Sequence, residues 1–138
     1  MTRAELTDLL DLGATGKTVL VVEDHVPWLT LLAHFWTEAG HKTLALTGID
    51  EVHGDLAFGR TVDGTEMIDI RTVDVAFLDH YFLSTRYNGA LLTRELLLRK
   101  PIRICGMSSD AAANAAMRRE GAIAAFRKSD LMRMIATP

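Results

Sequence analysis

Two short, nearly continuous apolar runs in this chain each end on acidic residues. The first run, Val19 to Val22, leads into Glu23 and Asp24, and the second, Val73 to Leu78, leads into Asp79. Apolar, β-branched runs of this kind are typical of strands covered on both faces, as in a parallel sheet. Because ligands bind beyond the carboxyl ends of such strands, the three acids are predicted to share one pocket.

Apolar residues spaced about 3.6 positions apart predict helices between and around the strands. The first helix opens with a capping box at Thr2 to Glu5 and presents Leu6, Leu9 and Leu10 on one face. That face is predicted to pack on the domain, with a dimer contact as the alternative. The other predicted helices cover 27–39, 90–99, 111–120 and 130–136, and the strands cover 18–22, 42–46, 73–78, 102–107 and 123–127.

The order of these elements defines the fold class. Helices and strands alternate through short turns, which predicts an α/β fold: a doubly wound five-stranded parallel sheet of flavodoxin-like order 2-1-3-4-5, with helices on both faces. That order places the first and third strands side by side, and with them Asp24 and Asp79. Residues 1–16 are predicted to form an extra N-terminal helix and lead-in ahead of a domain of residues 17–138.

The segment from Thr47 to Thr72 has the least regular pattern in the chain. Its Asp63-Gly64 pair is typical of a tight turn and predicts a hairpin that pairs 60–62 with 65–68. The segment is otherwise predicted to be irregular.

Composition and charge narrow the possible functions. The 138 residues are enough for one domain with a real core, since 49% are hydrophobic. A net charge of -3, with no Lys or Arg run longer than two residues, argues against nucleic-acid binding. The single Cys105 lies in an apolar run, which excludes a disulfide framework and favours a reduced, cytoplasmic setting. Since neither a membrane-length apolar stretch nor a signal peptide is present, we expect no membrane association.

Clustered carboxylates without a counter-charge repel one another, so such a cluster is usually relieved by a cation or a lysine. Oxygen-only ligands indicate Mg²⁺, which takes a few carboxylates together with waters and a phosphate oxygen. A carboxylate beside Mg²⁺ can attack phosphorus and form an aspartyl phosphate. That chemistry also needs a donor to the phosphoryl oxygens and a neutralising cation. Ser108 and Lys128, at the ends of the fourth and fifth strands, are predicted to fill these roles.

With these residues in place, the chain resembles the receiver domain of two-component response regulators, the family that includes single-domain chemotaxis regulators. The resemblance covers most of the chain, from Thr18 to about Ile135, and rests on five positions in the right order at strand ends. The positions are Glu23 and Asp24 after Val-Leu-Val-Val, Asp79 after Ala-Phe-Leu, Ser108 after Cys-Gly-Met, and Lys128 after Ala-Phe-Arg.

The resemblance implies a phosphorylation switch. It implies that Asp79 accepts a phosphoryl group from a histidine kinase or phosphotransfer protein, assisted by Ser108 and Lys128. Such a protein catalyses only its own phosphoryl transfer and dephosphorylation, and once charged it changes its affinity for a downstream protein partner. The implied ligands of the Mg²⁺ cofactor are Asp24, Asp79 and the backbone carbonyl of Tyr81, with Glu23 acting mostly through water.

Several features depart from the family pattern and leave the output route altered. They are Ser129 in place of the usual proline, Ala125 in place of the switch aromatic, a long loop from His80 to Asn88, a short last helix, and the 47–72 segment in place of helix two. These departures keep open a pseudo-receiver that binds a partner through that segment whatever its phosphorylation state. A phosphohydrolase of the haloacid dehalogenase type is disfavoured, because it needs a second Asp where Tyr81 stands.

Five further side chains have secondary roles. Tyr81 and Asp110 are hypothesised to shield the phosphoryl group from water and to slow its loss. His80 is predicted to point to the opposite face of the sheet, in a packing role. Trp28 and Trp36 lie on one helix and are predicted to belong to the core.

Overall fold

The structure, a computed structural model, describes residues 1–137. Within this range, no helix is long and apolar enough to cross a membrane. The helices are α1 Arg3–Leu9, α2 Val26–Glu38, α3 Gly89–Leu97, α4 Ala111–Arg119 and α5 Lys128–Ala136, with a 3-10 turn at Ile70–Thr72. The strands are β1 Thr18–Val22, β2 Lys42–Leu46, β3 Gly48–His53, β4 Leu56–Arg60, β5 Thr65–Asp69, β6 Val75–Leu78, β7 Arg103–Met107 and β8 Ala124–Phe126.

Five of the strands form one parallel sheet in the order β2-β1-β6-β7-β8. This is the predicted order, so the fold class is confirmed, and β1 and β2 have the predicted bounds. Strand β1 lies between β2 and β6, with Val22 level with both Leu46 and Leu78. The residues that follow β1 and β6 therefore emerge together at one edge of the sheet.

Both faces of the sheet are covered by apolar cores. On one face, Trp36 is 1% exposed and stacks on Phe77 with ring centroids 5.7 Å apart, and Trp28 is buried beside it. The predicted core role of both tryptophans is confirmed. On the other face, α3 and α4 bury Leu92 and Met117 together with part of a second sheet. Each fully buried side chain of this size contributes roughly 1.5–3 kcal/mol to folding.

Helix α1 belongs to the same core. Its predicted capping box forms, because the Thr2 hydroxyl accepts from the Glu5 N–H and the Glu5 carboxylate accepts from the Thr2 N–H, each at 3.1 Å. Leu6 and Leu10 are fully buried against the domain, which confirms the predicted packing of the leucine face. The Arg3 guanidinium also donates to a backbone carbonyl near the end of α5. The N-terminal helix is thus joined to the last one.

The segment from Thr47 to Thr72 is not irregular, and that prediction is wrong. It forms a three-stranded antiparallel sheet, β3-β4-β5. The predicted turn at Asp63-Gly64 is present, but the strand before it is β4 instead of 60–62. The inward positions of β4 are Ala57 and Gly59, and such small residues conceal the alternation of apolar and polar positions that marks a strand.

The remaining predicted boundaries shift by a few residues at most. Helix α5 begins at Lys128, two residues before its predicted start, because Arg127 takes the N-cap position. Asn88 and Asp110 cap α3 and α4 through their side chains. Cys105 is buried in β7, and burial raises the pKa of its thiol to about 12, so it behaves as a small apolar residue.

Candidate functional site

Three acids lie together at the carboxyl edge of the parallel sheet. The carboxylate oxygens of Glu23, Asp24 and Asp79 lie within 4.8 Å of one another. Two of the backbones continue the strand ladder, since Glu23 N–H donates to the Leu46 carbonyl at 2.9 Å and Asp79 N–H to the Val22 carbonyl at 3.0 Å. Glu23 and Asp79 are buried, whereas Asp24 is exposed. The cluster is therefore open to solvent on the side of Asp24.

Lys128 joins two of these acids. Its Nζ lies 2.6 Å from Glu23 Oε1 and 3.3 Å from Asp79 Oδ2. The lysine was predicted to lie at a strand end, but it is the first residue of α5, which directs its side chain back over the edge of the sheet. The amine thus supplies a counter-charge that the two buried carboxylates need.

Electrostatics in the cluster are dominated by burial. The pKa of Glu23 is raised to about 8, mainly by burial and in part by the nearby Asp79 carboxylate, while hydrogen bonding to Lys128 opposes the shift. For Lys128, burial lowers the pKa, but the two carboxylates outweigh burial and the net pKa is raised. Within residues 1–137, Glu23 Oε2 is buried and makes no hydrogen bond. A buried, unpaired carboxylate oxygen beside two other carboxylates fits a hard divalent cation.

Replacing Glu23 with Gln is expected to change how stability depends on pH. The folded pKa is about 8 and the ordinary pKa of a glutamate is 4.5, so between these values the folded chain keeps a proton that the unfolded chain loses. In a chelator, the free energy of unfolding of the wild type relative to Glu23→Gln should therefore fall by roughly 3–4 kcal/mol from pH 5 to pH 8. Urea unfolding at each pH measures the difference. The control is Glu66→Gln, which replaces an exposed glutamate. If the difference in free energy of unfolding between the wild type and Glu23→Gln does not change with pH, the prediction is contradicted.

Ser108 lies at the same edge, directly after β7. It is 2% exposed, and its Oγ accepts from the Asp110 N–H at 3.1 Å. The Asn114 side chain binds both backbone groups of Ser108: it accepts from the Ser108 N–H at 3.1 Å and donates to the Ser108 carbonyl at 2.9 Å. Sequence reasoning missed Asn114. Its signal was a single amide inside an Ala-rich helix, a position where such a side chain is unfavourable unless it has a partner.

Tyr81 links the loop after Asp79 to the N-cap of α4. Its hydroxyl donates to Asp110 Oδ2 at 3.2 Å, which raises the pKa of the phenol, and its side chain is largely exposed. The ring lies edge-on against His80 with centroids 4.7 Å apart. His80 is nearly buried, its backbone N–H donates to Asp79 Oδ1 at 2.8 Å, and burial lowers the pKa of its imidazole. The loop therefore orients one oxygen of Asp79 through its backbone.

Gly89 is a second residue that sequence reasoning left without a role. Its N–H donates to the His80 carbonyl at 2.9 Å, and an added Cβ would lie 2.6 Å from the Asp79 carbonyl oxygen and 2.7 Å from Met117 Sδ. Only glycine fits this close approach without displacement of the site. The available signal was the Asn88-Gly89 pair directly before the predicted helix 90–99.

Comparisons with known proteins bear on the fold. No family model matches this sequence, and no curated protein matches it. The receiver domain of NtrX from Brucella abortus is 22% identical, with a TM-score of 0.61 over 86% of this chain and 93% of that one. A CheY-like receiver domain protein from Methanospirillum hungatei JF-1 is 14% identical, with a TM-score of 0.59 over 88% and 92% of the two chains. A response regulator from Burkholderia pseudomallei is 14% identical, with a TM-score of 0.58 over 86% and 66%.

These likenesses establish the architecture of the chain. It has the fold of response-regulator receiver domains, as the sequence resemblance predicted. The chemical roles of the five residues at the sheet edge remain predictions.

Proposed function

We propose that this chain is a phosphoacceptor signalling switch, which takes a phosphoryl group on Asp79 from a histidine kinase or phosphotransfer protein. The observation that carries the proposal is the bridge that Lys128 makes between Glu23 and Asp79, at 2.6 and 3.3 Å. It places a positive charge within an acidic cluster, at the same edge of the sheet as Ser108. Such a combination suits the receipt of a dianionic group.

In the proposed transfer, a carboxylate oxygen of Asp79 attacks the phosphorus of a phosphohistidine. An O–P bond forms while the P–N bond breaks, and the imidazole leaves. The His80 N–H fixes the other side of the carboxylate. Because Ser108 Oγ accepts from a backbone N–H, its own proton is free to be donated to a phosphoryl oxygen. Lys128 neutralises the added charge.

The carboxylates of Glu23, Asp24 and Asp79 and the backbone carbonyl of Tyr81 are the residues that would hold Mg²⁺. When bound, the ion supplies positive charge to the phosphoryl oxygens. The unpaired Glu23 Oε2 supports this ligand set. The similar protein from Burkholderia pseudomallei contains a phosphorylated aspartic acid and a calcium ion, which also supports a hard divalent cation here.

Incubation with acetyl phosphate and Mg²⁺ tests the proposal. Mass spectrometry should find one added phosphoryl group on the wild type and none on Asp79→Asn, because the amide is not a nucleophile. The matched control is Asp63→Asn, an exposed acid in the turn between β4 and β5, which should label like the wild type. An unlabelled wild type, or equal labelling of Asp79→Asn, would show that the proposal is wrong.

Tyr81→Ala is expected to shorten the lifetime of the phosphorylated protein about fivefold. The Tyr81–Asp110 hydrogen bond is worth about 1 kcal/mol. A change of that size in the barrier to dephosphorylation corresponds to about a fivefold change in its rate. Tyr81→Phe removes only the hydroxyl that binds Asp110 and keeps the ring. Comparison of the two variants therefore distinguishes the effect of the hydrogen bond from the effect of the ring's size. The decay of the label after removal of acetyl phosphate measures the lifetime. If the label decays from Tyr81→Ala at the wild-type rate, Tyr81 does not shield the phosphoryl group.

The second candidate is a pseudo-receiver that binds its partner independently of phosphorylation. The observation that favours it is the three-stranded sheet β3-β4-β5, which stands where the family resemblance implies a helix. Partner binding separates the two candidates, because the pseudo-receiver predicts the same affinity for the wild type and Asp79→Asn after treatment with acetyl phosphate, whereas the switch predicts a difference.

A further inference from the structure

The small sheet β3-β4-β5 exposes two large apolar side chains side by side. Phe58 on β4 and Met67 on β5 are directly paired across the strands and are 39% and 60% exposed. Glu51 on β3 is paired with Phe58 from the other side, which extends the row across all three strands. The inward residues Ala57 and Ile68 are buried, so the outer face is a separate surface. Aromatic residues and methionine are the apolar residues enriched in protein interfaces.

The charge of this sheet differs from that of the rest of the chain. Residues 48–72 contain six acids and two bases, a net charge of -4, whereas the whole chain carries -3 and the remainder therefore +1. Both bases are already paired within the segment, Arg60 with Asp50 at 2.7 Å and Arg71 with Asp69 at 2.9 Å. Glu51 also lies 4.0 Å from Arg86 of the neighbouring loop, and with that base counted the sheet still carries an excess of three negative charges. An acidic surface with an apolar centre is complementary to a basic one.

The loop that leaves the phosphoacceptor is bonded to the small sheet. Leu83 forms a β-bridge with Gly48, and its N–H donates to the Thr47 carbonyl at 3.2 Å. The Val52 N–H, further along β3, donates to the Tyr87 hydroxyl at 3.3 Å. The contact has no free space, because a Cβ at Gly48 would lie 1.8 Å from the Leu83 carbonyl oxygen. A shift of the loop must therefore move β3 as well.

We propose that the outer face of the small sheet, formed by Glu51, Phe58 and Met67, binds a protein segment with an apolar anchor flanked by Lys or Arg. The second part of the proposal rests on the proposed function: the loop from His80 to Asn88 couples the state of Asp79 to the affinity of this face. The sheet then serves as the output surface of the domain.

A random peptide library displayed on phage tests the binding surface. Peptides are selected on the immobilised wild-type chain and then measured on the Phe58→Ser/Met67→Ser double variant. We expect selected peptides with an apolar centre and flanking Lys or Arg, whose affinity falls at least tenfold on the double variant. The matched control is Leu91→Ser/Leu98→Ser, which removes two exposed apolar side chains from α3 and its C-cap and should leave affinity unchanged. Peptides that bind the Phe58→Ser/Met67→Ser variant as tightly as the wild type would overturn the proposal.

Glu51→Lys provides a second variant that leaves the apolar residues in place. Its side chain is 52% exposed and its 4.0 Å pair with Arg86 is a surface pair of small energy, so the substitution is not expected to disturb folding, which circular dichroism checks. We expect it to weaken the selected peptides at least threefold, and more at low salt. Selected peptides without basic residues, or peptides insensitive to Glu51→Lys, would show that charge does not define the partner.

The coupling is tested with the same peptides on protein treated with acetyl phosphate and Mg²⁺, with mass spectrometry reporting how much Asp79 is phosphorylated. We expect affinity to change at least threefold with phosphorylation and to stay constant in Asp79→Asn. If Asp79 is phosphorylated and the affinity is unchanged, the coupling is wrong and the proposed function stands. If Asp79 does not become phosphorylated, the proposed function fails and the coupling with it, whereas the binding surface is judged by the variants alone.

Discussion

Replacing Gly48 with Ala is expected to lower the free energy of unfolding by about 3 kcal/mol, the upper range for an overpacked contact. The added Cβ would lie 1.8 Å from the Leu83 carbonyl oxygen and 2.6 Å from its carbonyl carbon. These are backbone atoms, so no side-chain rotation relieves the clash, and either the Gly48–Leu83 bridge or the strand β3 must move. Urea unfolding followed by far-UV circular dichroism measures the loss.

The control for this prediction is Gly64→Ala, a glycine in the neighbouring turn at which an added Cβ meets no atom within 4 Å. We expect it to change stability by no more than about 0.5 kcal/mol. A loss below about 1 kcal/mol for Gly48→Ala would mean that the loop and the small sheet separate easily, and it would weaken the coupling between them. Hydrogen exchange of the β3 amides shows where the structure opens.

The sheet order and the position of the site were predictable from the sequence because both depend on local patterns. Buried parallel strands read as apolar runs, and Val19 to Val22 is such a run with the right bounds. Once the order 2-1-3-4-5 is set, the residues after the first and third strands must meet, which is why Asp24 and Asp79 lie together. No side-chain geometry was needed for that step.

The small sheet could not be predicted because its stabilising contacts are not local. The buried positions of β4 are Ala57 and Gly59, and the second is glycine because a Cβ there would lie 2.5 Å from a methyl of Leu46. Between Ile49 and Glu51 the register of β3 shifts, so the alternation of apolar and polar residues breaks. The bridge between Gly48 of β3 and Leu83 of the loop also joins residues that are far apart in the sequence.

At the site itself, the position of Lys128 could be predicted only in part, because its contacts are also non-local. The sequence placed Lys128 at the edge of the sheet, but not as the first residue of a helix. Its two contacts, with Glu23 at 2.6 Å and Asp79 at 3.3 Å, join residues that are far apart along the chain. Repulsion among the clustered acids already predicts a raised pKa, but the larger cause for Glu23 is its burial, which the sequence did not specify.

Replacing Lys128 with Met is expected to slow the labelling of Asp79 by acetyl phosphate roughly 100-fold, the usual cost of removing one charge-stabilising group from a reaction site. The amine is the cation closest to both buried carboxylates, and without it nothing at that position neutralises the incoming phosphoryl group. The variant should remain folded near neutral pH, because burial raises the pKa of Glu23 to about 8 and the carboxyl can take up a proton when its partner is lost. Thermal unfolding checks this, and mass spectrometry over time gives the rate.

Two controls isolate the role of the charge at Lys128. Lys128→Arg keeps the positive charge and should restore part of the labelling rate, although its planar guanidinium cannot reproduce the two contacts of a single Nζ. Lys100→Met removes another partly buried lysine, which pairs with Asp74 at 3.5 Å away from the proposed site, and it should label at the wild-type rate. If Lys128→Met and Lys100→Met label equally fast, the amine at the sheet edge has only a structural role, and the positive charge that neutralises the phosphoryl group would come from the metal ion that Glu23, Asp24 and Asp79 would hold.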